Sequence, residues 1–141
     1  MRRRGRAIWT GTLATGRGIL STESGALAGA RYSFATRFGD EAGTNPEELI
    51  AAAHAGCFAM ALTYLLEAAG TPPESVESAA ELRLRLREGR PEIDGIRLRV
   101  AARVPGTTDE VFQEIAQKAK EECLVSRLLR TTVELEATLS P

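Results

Sequence analysis

The sequence has few of the residues that build metal centres: two cysteines and one histidine among 141 residues. Cys57 and Cys123 stand far apart in the chain, and neither has a CxxC neighbour. A zinc ribbon needs closely spaced cysteine pairs, so this class of site is excluded. His54 has no second histidine to accompany it. We therefore expect no metal centre.

An excess of charge of one sign is also missing, because the formal net charge is −1. Such a chain has no global field to attract nucleic acid or anionic lipid. Arginines alternate with apolar residues in 79–87 and 92–104, which predicts two strands that each have one wet face. Acidic residues flank these arginines and no stacking aromatics are interleaved, so we expect solvated strand faces and no nucleic-acid partner.

A long uninterrupted hydrophobic run is absent too. The basic residues 1–6 are followed by polar residues, which is not the pattern of a secretory signal peptide. The longest apolar stretch, residues 49–66, is interrupted by His54, Thr63 and Tyr64, and we expect no membrane span. A cytoplasmic location follows as the expectation. A cysteine pair there is either transient and catalytic, or reduced and buried.

The order of the predicted elements indicates an α+β fold in a single domain over residues 1–141. Turn-forming glycines separate the first three strands, which predicts an antiparallel meander. The full order is β-β-β-α-β-β-α-β. The predicted strands are 6–12, 17–23, 31–38, 79–87, 92–104 and 131–139, and the second helix is 109–121, with a short turn or helix reaching Leu129.

The first helix is the longest predicted element. Asn45 suits its N-cap, Pro46 its first position, and Glu48 completes the spacing of a capping box. The helix should end near Ala69, before Gly70. Its middle, AAAHAGCFAMAL, is apolar nearly all round, which is typical of a helix enclosed by protein. A chain of this size has trouble enclosing such a helix alone, which favours a dimer.

Cys57 has two interpretations. A cysteine among alanines in a buried helix is usually a small hydrophobic residue. A nearby cation would instead make it a reactive thiolate, and Arg37 is a candidate, in a predicted strand where Phe34 and Phe38 face inward. Glu47 lies ten residues before Cys57, about 15 Å along one helix, so a shared site needs a bridging arginine or a second helix.

Two further residues have open interpretations. Glu47 fits plain pairing with the positive end of the helix dipole. His54, three residues before Cys57, is either a hydrogen-bonded core histidine or a general base. A cysteine hydrolase that uses His54 would need an orienting Asn or Asp, and none is evident. Ser126 either ends a helix or donates a hydrogen bond near Cys123.

The run from Arg37 through GTNPEEL to AAHAGCFAMAL, with the later AK…CLVS motif, resembles the OsmC/Ohr family of osmotically inducible and organic hydroperoxide resistance proteins. The likeness spans nearly the whole chain and is closer to the OsmC branch. One departure is Leu124, because the family commonly has proline after its second cysteine. The resemblance implies an intertwined homodimer, with two long central helices wrapped by antiparallel sheets from both chains.

The resemblance also implies the site and its chemistry. Cys57 matches the peroxidatic cysteine, Cys123 the resolving one, Arg37 the arginine that stabilises the thiolate, and Glu47 its orienting carboxylate. Arg17 is the alternative arginine. The implied function is reduction of organic hydroperoxides through a sulfenic acid and a Cys57–Cys123 disulfide, in defence against oxidative or osmotic stress.

No haem, flavin or metal is needed for that chemistry. The implied reductant is an external dithiol, with lipoylated proteins as candidates. The apolar neighbours of Cys57, namely Phe58, Met60 and Leu62, would favour organic peroxides over hydrogen peroxide. A rival function is a non-catalytic stress or ligand-binding protein on the same dimeric fold, in which both thiols are structural.

Overall fold

The computed structural model describes residues 1–140, which form two three-stranded sheets and four helices. The α+β class is confirmed. The strands are β1 (Gly5–Thr10), β2 (Arg17–Thr22), β3 (Ala28–Ser33), β4 (Ser75–Arg87), β5 (Arg90–Arg103) and β6 (Val133–Ser140). The helices are α1 (Phe34–Phe38), α2 (Pro46–Ala68), α3 (Asp109–Glu122) and α4 (Leu124–Leu128).

The chain divides into two compact units, which we call unit 1 (Met1–Leu49) and unit 2 (the chain from Ile50 onward). Helix α2 begins in unit 1 and continues in unit 2. A single domain over residues 1–141 therefore stays a prediction. Each unit contains one of the two sheets found within residues 1–140.

Unit 1 is built on the predicted antiparallel meander, in the order β1-β2-β3. Gly18 in β2 lets the chains approach closely, because a Cβ atom there would come within 2.1 Å of the Tyr32 ring. Tyr32 in turn lies 5.4 Å from the Trp9 ring, measured between ring centroids. The aromatic side chains of this small sheet thus pack over a glycine.

The predicted strand over residues 31–38 is wrong in its second half. β3 ends at Ser33, and Phe34–Phe38 form α1. The Ser33 hydroxyl accepts a hydrogen bond from the Thr36 N–H (3.1 Å), and the Thr36 hydroxyl accepts one from the Ser33 N–H (2.9 Å). This reciprocal capping box starts a helix that outweighs the strand propensity of the aromatic residues. Phe34 and Phe38 do not face inward: they are 43% and 44% exposed and pack on each other.

Unit 2 contains a hairpin and a crossover. β4 and β5 pair antiparallel through Glu88 and Gly89, whose φ angles of +53° and +77° fit a two-residue hairpin turn. After α3 and α4 the chain returns as β6, which pairs parallel to β5. The expectation of wholly antiparallel sheets is therefore wrong for this one. A parallel neighbour requires a long connection, and the α3–α4 segment supplies it.

The hydrophobic core lies in unit 2. Alternate residues of β5 point into the core, as predicted. The leucines of β4 do so only in part: the register of the β4–β5 pair shifts after Arg83, and beyond the shift Leu86 is 77% exposed. In α3 the apolar residues Phe112, Ala116 and Ala119 are buried, and Ile115 is partly buried and packs against the core. The core consists of Phe58, Leu62, Leu66, Leu98, Val100, Ala102, Val104, Phe112, Ala116, Ala119 and Cys123.

The arginine row of unit 2 meets acidic side chains. Arg97 and Arg99 in β5 pair with Glu134 and Glu136 of the parallel strand β6, each at 3.1 Å for its shortest contact. Glu81 in β4 adds a 3.3 Å contact to Arg99. These partners neutralise the positive row locally, which supports the interpretation of a solvated strand face.

Helix α2 presents one face to the core and another to the outside. Phe58, Leu62 and Leu66, at i, i+4 and i+8, are fully buried, whereas Met60 and Tyr64 are 77% and 66% exposed. By length and composition alone the helix could cross a membrane, since an 18-residue window has a mean hydropathy of 1.8. Only 22% of that window is buried inside the protein. The single chain thus does not enclose this helix, as expected for a chain of this size.

Candidate active site

Two short segments of unit 2 face each other at the proposed thiols. Helix α2 carries His54 and Cys57 three residues apart, which places them on neighbouring positions of one face. The facing segment carries Cys123 and Ser126, also three residues apart. Each cysteine faces the other, and the histidine faces the serine. The site therefore consists of two side-chain pairs, Cys57 with Cys123 and His54 with Ser126, and each of the two segments supplies one residue to each pair.

The local fold of the second segment follows from a break between α3 and α4. The Cys123 backbone leaves helical geometry (φ −56°, ψ 123°), while its N–H donates to the Ala119 carbonyl and its carbonyl accepts from the Arg127 N–H. The chain thus turns at Cys123 without losing its backbone hydrogen bonds. Leu124, which stands where the family commonly has proline, is 71% exposed and lies in α4.

Both thiols are free, and they are neighbours that shift each other's pKa. Cys123 is 1% exposed and belongs to the core, whereas Cys57 is half-buried and packs against it. One thiol is therefore open to a reactant and the other is shielded. An accessible thiol beside a second thiol is an arrangement in which a sulfenic acid can condense to a disulfide.

Burial raises the pKa of the Cys57 thiol, and the neighbouring Cys123 raises it further, against the opposing effect of the backbone N–H groups of Val125 and Leu124. Burial alone would also raise the pKa of Cys123. The backbone N–H and the hydroxyl of Ser126, with the Cys57 thiol and the Val125 N–H, reverse this and lower the pKa of Cys123. The backbone N–H groups that follow Cys123 thus oppose the effect of burial at both sulfurs.

His54 is a fully buried histidine with a hydrogen-bond partner. Its Nε2 lies 2.7 Å from Ser126 Oγ, and its Nδ1 has no partner among residues 1–140. Burial lowers the pKa of His54, so the imidazole is neutral at neutral pH. The sequence interpretation had treated Ser126 and His54 separately. The signal that could have joined them is the equal i, i+3 spacing of His54–Cys57 and Cys123–Ser126.

Arg37 and Glu47 form an ion pair in unit 1. Arg37 Nε lies 2.9 Å and 3.0 Å from the two Glu47 carboxylate oxygens, and Nη2 also bonds Oε1. The Glu47 side chain is 10% exposed and that of Arg37 37%. Arg37 also lies over the Phe38 ring, 4.9 Å from its centroid. The carboxylate thus fixes one edge of the guanidinium and leaves Nη1 for another partner.

Local structure explains why Arg37 and Glu47 meet. Asn45 Oδ1 accepts a hydrogen bond from the Glu48 N–H (2.8 Å), so α2 begins after Asn45 as predicted. The Asn45 side-chain amide also donates to the Thr36 carbonyl at 3.3 Å, and the Thr36 hydroxyl donates to the Thr44 carbonyl at 2.9 Å. These bonds tie the end of α1 to the start of α2. The Arg37–Glu47 pair spans the same junction.

Arg17, the alternative arginine, has a different partner. Its guanidinium pairs with Glu41 at 3.0 Å, with the arginine side chain 75% exposed. Glu41 is also bonded by the Ser33 hydroxyl, and these two hydrogen bonds lower the pKa of Glu41. Arg17 and Glu41 line a groove of about 530 Å³ in unit 1. Unit 1 therefore holds three arginine–carboxylate pairs, the third being Arg4–Glu23, and the Arg37 pair is the least exposed of them.

The structure brings the four predicted residues together as two pairs, Cys57 with Cys123 and Arg37 with Glu47. Within unit 2 the donors that act on Cys57 are backbone N–H groups, and unit 2 supplies no arginine to it. Of the predicted apolar neighbours, Phe58 and Leu62 are buried in the core that Cys57 packs against, whereas Met60 is exposed. No group of metal-ligating side chains occurs among residues 1–140.

The fold and these free thiols define an α+β protein with two neighbouring cysteines. Residues 39–138 match the family of OsmC-like proteins. The chain is 44% identical over 137 residues to the peroxiredoxin OsmC of Escherichia coli (strain K12), covering 97% of this chain and 96% of that protein, and equally to that of Shigella flexneri. The chain belongs to the OsmC family, as its motifs predict.

Solved structures show the same fold. The organic hydroperoxide resistance protein OhrB of Bacillus subtilis superposes with a TM-score of 0.68 at 23% identity, covering 97% of this chain and 98% of that one. An OsmC-like protein of unknown function from Vibrio cholerae superposes with a TM-score of 0.77 at 17% identity, covering 97% and 99%. At these identities the likeness shows the fold alone.

Proposed function

We propose that this cysteine-based peroxidase of the OsmC family reduces organic hydroperoxides to alcohols, with Cys57 as the peroxidatic and Cys123 as the resolving cysteine. The observation that carries the proposal is the packing of the half-buried Cys57 against the core cluster that contains Cys123, with the two thiols as neighbours. The curated relatives named peroxiredoxin OsmC support a peroxidase. The apolar residues that pack around Cys57 support a substrate with an organic group.

The first step consumes the peroxide. The Cys57 thiolate attacks the terminal oxygen of R–O–O–H, the O–O bond breaks, and the alkoxide takes a proton to leave as R–OH. Cys57 is oxidised to a sulfenic acid. A guanidinium beside the reacting atoms would stabilise both the thiolate and the developing alkoxide. We assign that role to Arg37, held in place by Glu47, because this pair is bidentate and its carboxylate is shielded from solvent.

The second step restores the thiols. Cys123 attacks the Cys57 sulfur, the S–O bond breaks, and water is released as the disulfide forms. An external dithiol then reduces the Cys57–Cys123 disulfide by thiol exchange. Lipoylated proteins are candidate reductants, and a cytoplasmic location fits this reducing step. No haem, flavin or metal enters either half of this cycle.

We infer a homodimer in which the two active sites lie at the subunit interface. Glu47 and Cys57 are separated by about 15 Å along one helix, so a second subunit offers a route to bring an Arg37–Glu47 pair beside a Cys57 thiol. The exposed apolar face of α2, with Met60 and Tyr64, supports burial against a partner.

The test uses Cys57→Ser and Cys123→Ser with cumene hydroperoxide in a stopped-flow instrument. Cys57→Ser should abolish peroxide consumption. Cys123→Ser should consume one equivalent of peroxide per site and then stop, with a sulfenic acid at Cys57 that mass spectrometry detects. Full turnover by Cys57→Ser would overturn the proposal. Consumption of one equivalent of peroxide by Cys57→Ser, with a sulfenic acid at Cys123, would show that Cys123, and not Cys57, reacts first.

A further inference from the structure

The side chains of His54 and Ser126 have no part in the cycle described above, yet they join the two segments that carry the thiols. His54 Nε2 lies 2.7 Å from Ser126 Oγ. His54 precedes Cys57 by three residues in α2, and Ser126 in α4 follows Cys123 by three residues. The contact therefore lies about one helical turn from each thiol, and it connects the same two segments that the proposed disulfide would connect.

Helix α2 is the firmly held side of this contact. His54 and Phe58 are fully buried, and Phe58 belongs to the core of unit 2. The Nδ1 atom of His54 is buried and has no partner among residues 1–140, so the imidazole makes its one hydrogen bond to Ser126. Burial removes the hydrogen bonds of the ring to water, and the contact with the serine is what replaces them.

Helix α4 is the loosely held side. It has five residues, none of them fully buried, and Leu124 and Leu128 are exposed. Its N-cap residue makes no side-chain capping hydrogen bond. Of its apolar residues, Val125 packs against the core. In the part of the chain that the structure describes, the bond to His54 is the one side-chain hydrogen bond or ion pair that α4 makes.

We propose that His54 and Ser126 are positioning residues that hold α4 on α2, and thereby keep the resolving Cys123 within reach of the Cys57 sulfur. This inference rests on the proposed function, because it concerns the second half of that cycle. In that half the Cys123 sulfur attacks the sulfenic sulfur of Cys57, and the S–O bond breaks. The thiol proton and the leaving hydroxide form water, and the disulfide is the other product.

The position of α4 governs this step because a disulfide has strict geometry. Its sulfur atoms lie about 2 Å apart and its Cβ atoms about 4 Å apart, so a thiol on a mobile turn spends less time in a productive arrangement. A turn that is held at one further point gives Cys123 a higher effective concentration at Cys57. The attack of Cys57 on the peroxide does not involve Cys123, so the contact should matter for the second step and not for the first.

The experiment separates the two chemical steps in the full-length protein. Reduced protein is mixed with one equivalent of cumene hydroperoxide and quenched at intervals, and mass spectrometry measures the Cys57 sulfenic acid and the disulfide separately. Ser126→Ala should leave the rate of sulfenic acid formation within about twofold and slow disulfide closure about three- to tenfold, the effect expected for the loss of one hydrogen bond between neutral groups.

An equilibrium measurement tests the position of the turn independently of rates. Glutathione buffers of known ratio give the effective concentration of Cys123 at Cys57. In Ser126→Ala this concentration should fall about three- to tenfold, because the reduced turn gains freedom that the disulfide then removes. Ser126→Thr keeps a hydroxyl and should restore most of both values. Ser78→Ala removes a buried hydroxyl that has no partner among residues 1–140, and it should change neither value.

The pH profile of closure separates a positioning role from an electrostatic one. A positioning hydroxyl changes how often the two sulfurs meet, so Ser126→Ala should slow closure by the same factor at every pH. A profile that moves along the pH axis, with the parent rate regained at high pH, would show that the hydroxyl acts on thiol ionisation. That result would overturn the positioning role.

Hydrogen exchange gives a local readout. The N–H groups of Arg127 and Leu129 donate to the Cys123 and Val125 carbonyls, and they should exchange faster in reduced Ser126→Ala than in the parent. The amides of β5, which lie in the core sheet of unit 2, should keep their protection. Unchanged exchange at Arg127 and Leu129 would contradict a loosened turn.

The histidine is tested by a double-mutant cycle. His54→Leu should slow closure about as much as Ser126→Ala, and the double variant should be no slower, because each substitution removes the same bond. His54→Gln keeps a hydrogen-bonding side chain and should retain more of the closure rate than His54→Leu. If His54→Leu fails to fold, the Ser126 variants decide alone.

The outcomes separate this proposal from the peroxidase cycle. Normal formation of sulfenic acid with unchanged closure in Ser126→Ala would overturn the positioning role and leave the cycle intact. Absence of both sulfenic acid and disulfide in the parent protein would overturn the cycle itself. An equal loss of both steps, with faster exchange throughout unit 2, would assign His54 and Ser126 to the stability of the whole unit and would also overturn the positioning role.

Discussion

Units 1 and 2 hold their functional pairs by different means. In residues 1–140, every buried hydrophobic side chain belongs to unit 2, whereas the buried polar residues of unit 1 are Ser33, Thr36 and Glu47. The thiol pair thus sits against an apolar core, and the Arg37–Glu47 pair sits in a junction of hydrogen bonds. Burial among apolar side chains shields a sulfur from solvent, and a network of hydrogen bonds fixes the orientation of a guanidinium.

This difference also separates what each unit can do alone. Unit 2 buries aromatic and aliphatic side chains, which is the dominant source of folding free energy. Unit 1 leaves Ile8, Ile19, Phe34 and Phe38 about 40% exposed. A small sheet with no buried apolar residue is marginal in water, so unit 1 is the part that gains most from a partner subunit.

The largest expected effect is on the core of unit 2. Phe112→Ala should lower the free energy of unfolding by about 3–5 kcal/mol, because it removes a fully buried ring and leaves a cavity. Phe34→Ala in unit 1 removes the same ring from a half-exposed position and should cost about 1 kcal/mol. Urea denaturation measures both. Equal losses would break the comparison between the units.

The exposed face of α2 gives the next effect. Met60→Glu should weaken the proposed dimer at least about a hundredfold, since a charge buried at an interface lacks a partner. Size-exclusion chromatography with light scattering over a range of protein concentrations measures the oligomeric state. Leu86→Glu changes an equally exposed apolar residue of β4 and is the control, which should leave the dimer intact. A monomeric parent protein would rule out the interface proposal.

The ion pair of unit 1 should matter for rate more than for stability. Arg37→Met should slow formation of the Cys57 sulfenic acid about a hundredfold, as expected for loss of one electrostatic donor. Arg37→Lys should retain only part of the rate of sulfenic acid formation, because lysine cannot form the bidentate pair with Glu47. Arg17→Met is the control. A larger loss in Arg17→Met than in Arg37→Met would transfer the role to Arg17.

The pH dependence of the first step tests the thiol pair of unit 2. Burial and the neighbouring Cys123 raise the pKa of Cys57, so its oxidation rate should increase as the pH rises through that elevated pKa. Cys123→Ala removes the part of the increase in the Cys57 pKa that comes from the Cys123 thiol, whereas the part that comes from burial remains. The profile should therefore move to lower pH and the rate at neutral pH should increase. A shift to higher pH would contradict the assignment.

The smallest expected effects concern the helix caps. Asn45→Ala should cost about 1 kcal/mol, because Asn45 Oδ1 accepts from the Glu48 N–H at 2.8 Å and its amide also donates to the Thr36 carbonyl. Thr108→Ala should cost less, since the Thr108 hydroxyl accepts from the Val111 N–H at 3.4 Å. Thermal unfolding compares them. If Thr108→Ala lowers the stability more than Asn45→Ala does, the length of the cap hydrogen bond does not decide how much each cap stabilises its helix.

Much of the fold was predictable because its signals are local. The start of α2 follows from Asn45 and Pro46, and the wet and dry faces of β5 follow from alternation. The strand predicted through residue 38 failed since aromatic content favours a strand, whereas the Ser33–Thr36 capping box decides for a helix. The parallel pairing of β6 was not predictable, because no residue pattern in β6 specifies the direction of its neighbour.

The candidate site divides in the same way. The sequence by itself predicts which residues carry the chemistry, through two cysteine motifs and an arginine and a glutamate in family positions. Only the tertiary structure decided that Ser126 bonds His54 and that the Cys57 and Cys123 thiols shift each other's pKa. The physical reason is distance along the chain: hydrogen bonds and burial depend on which turns meet in space, and residues 72 positions apart leave no local trace of that meeting.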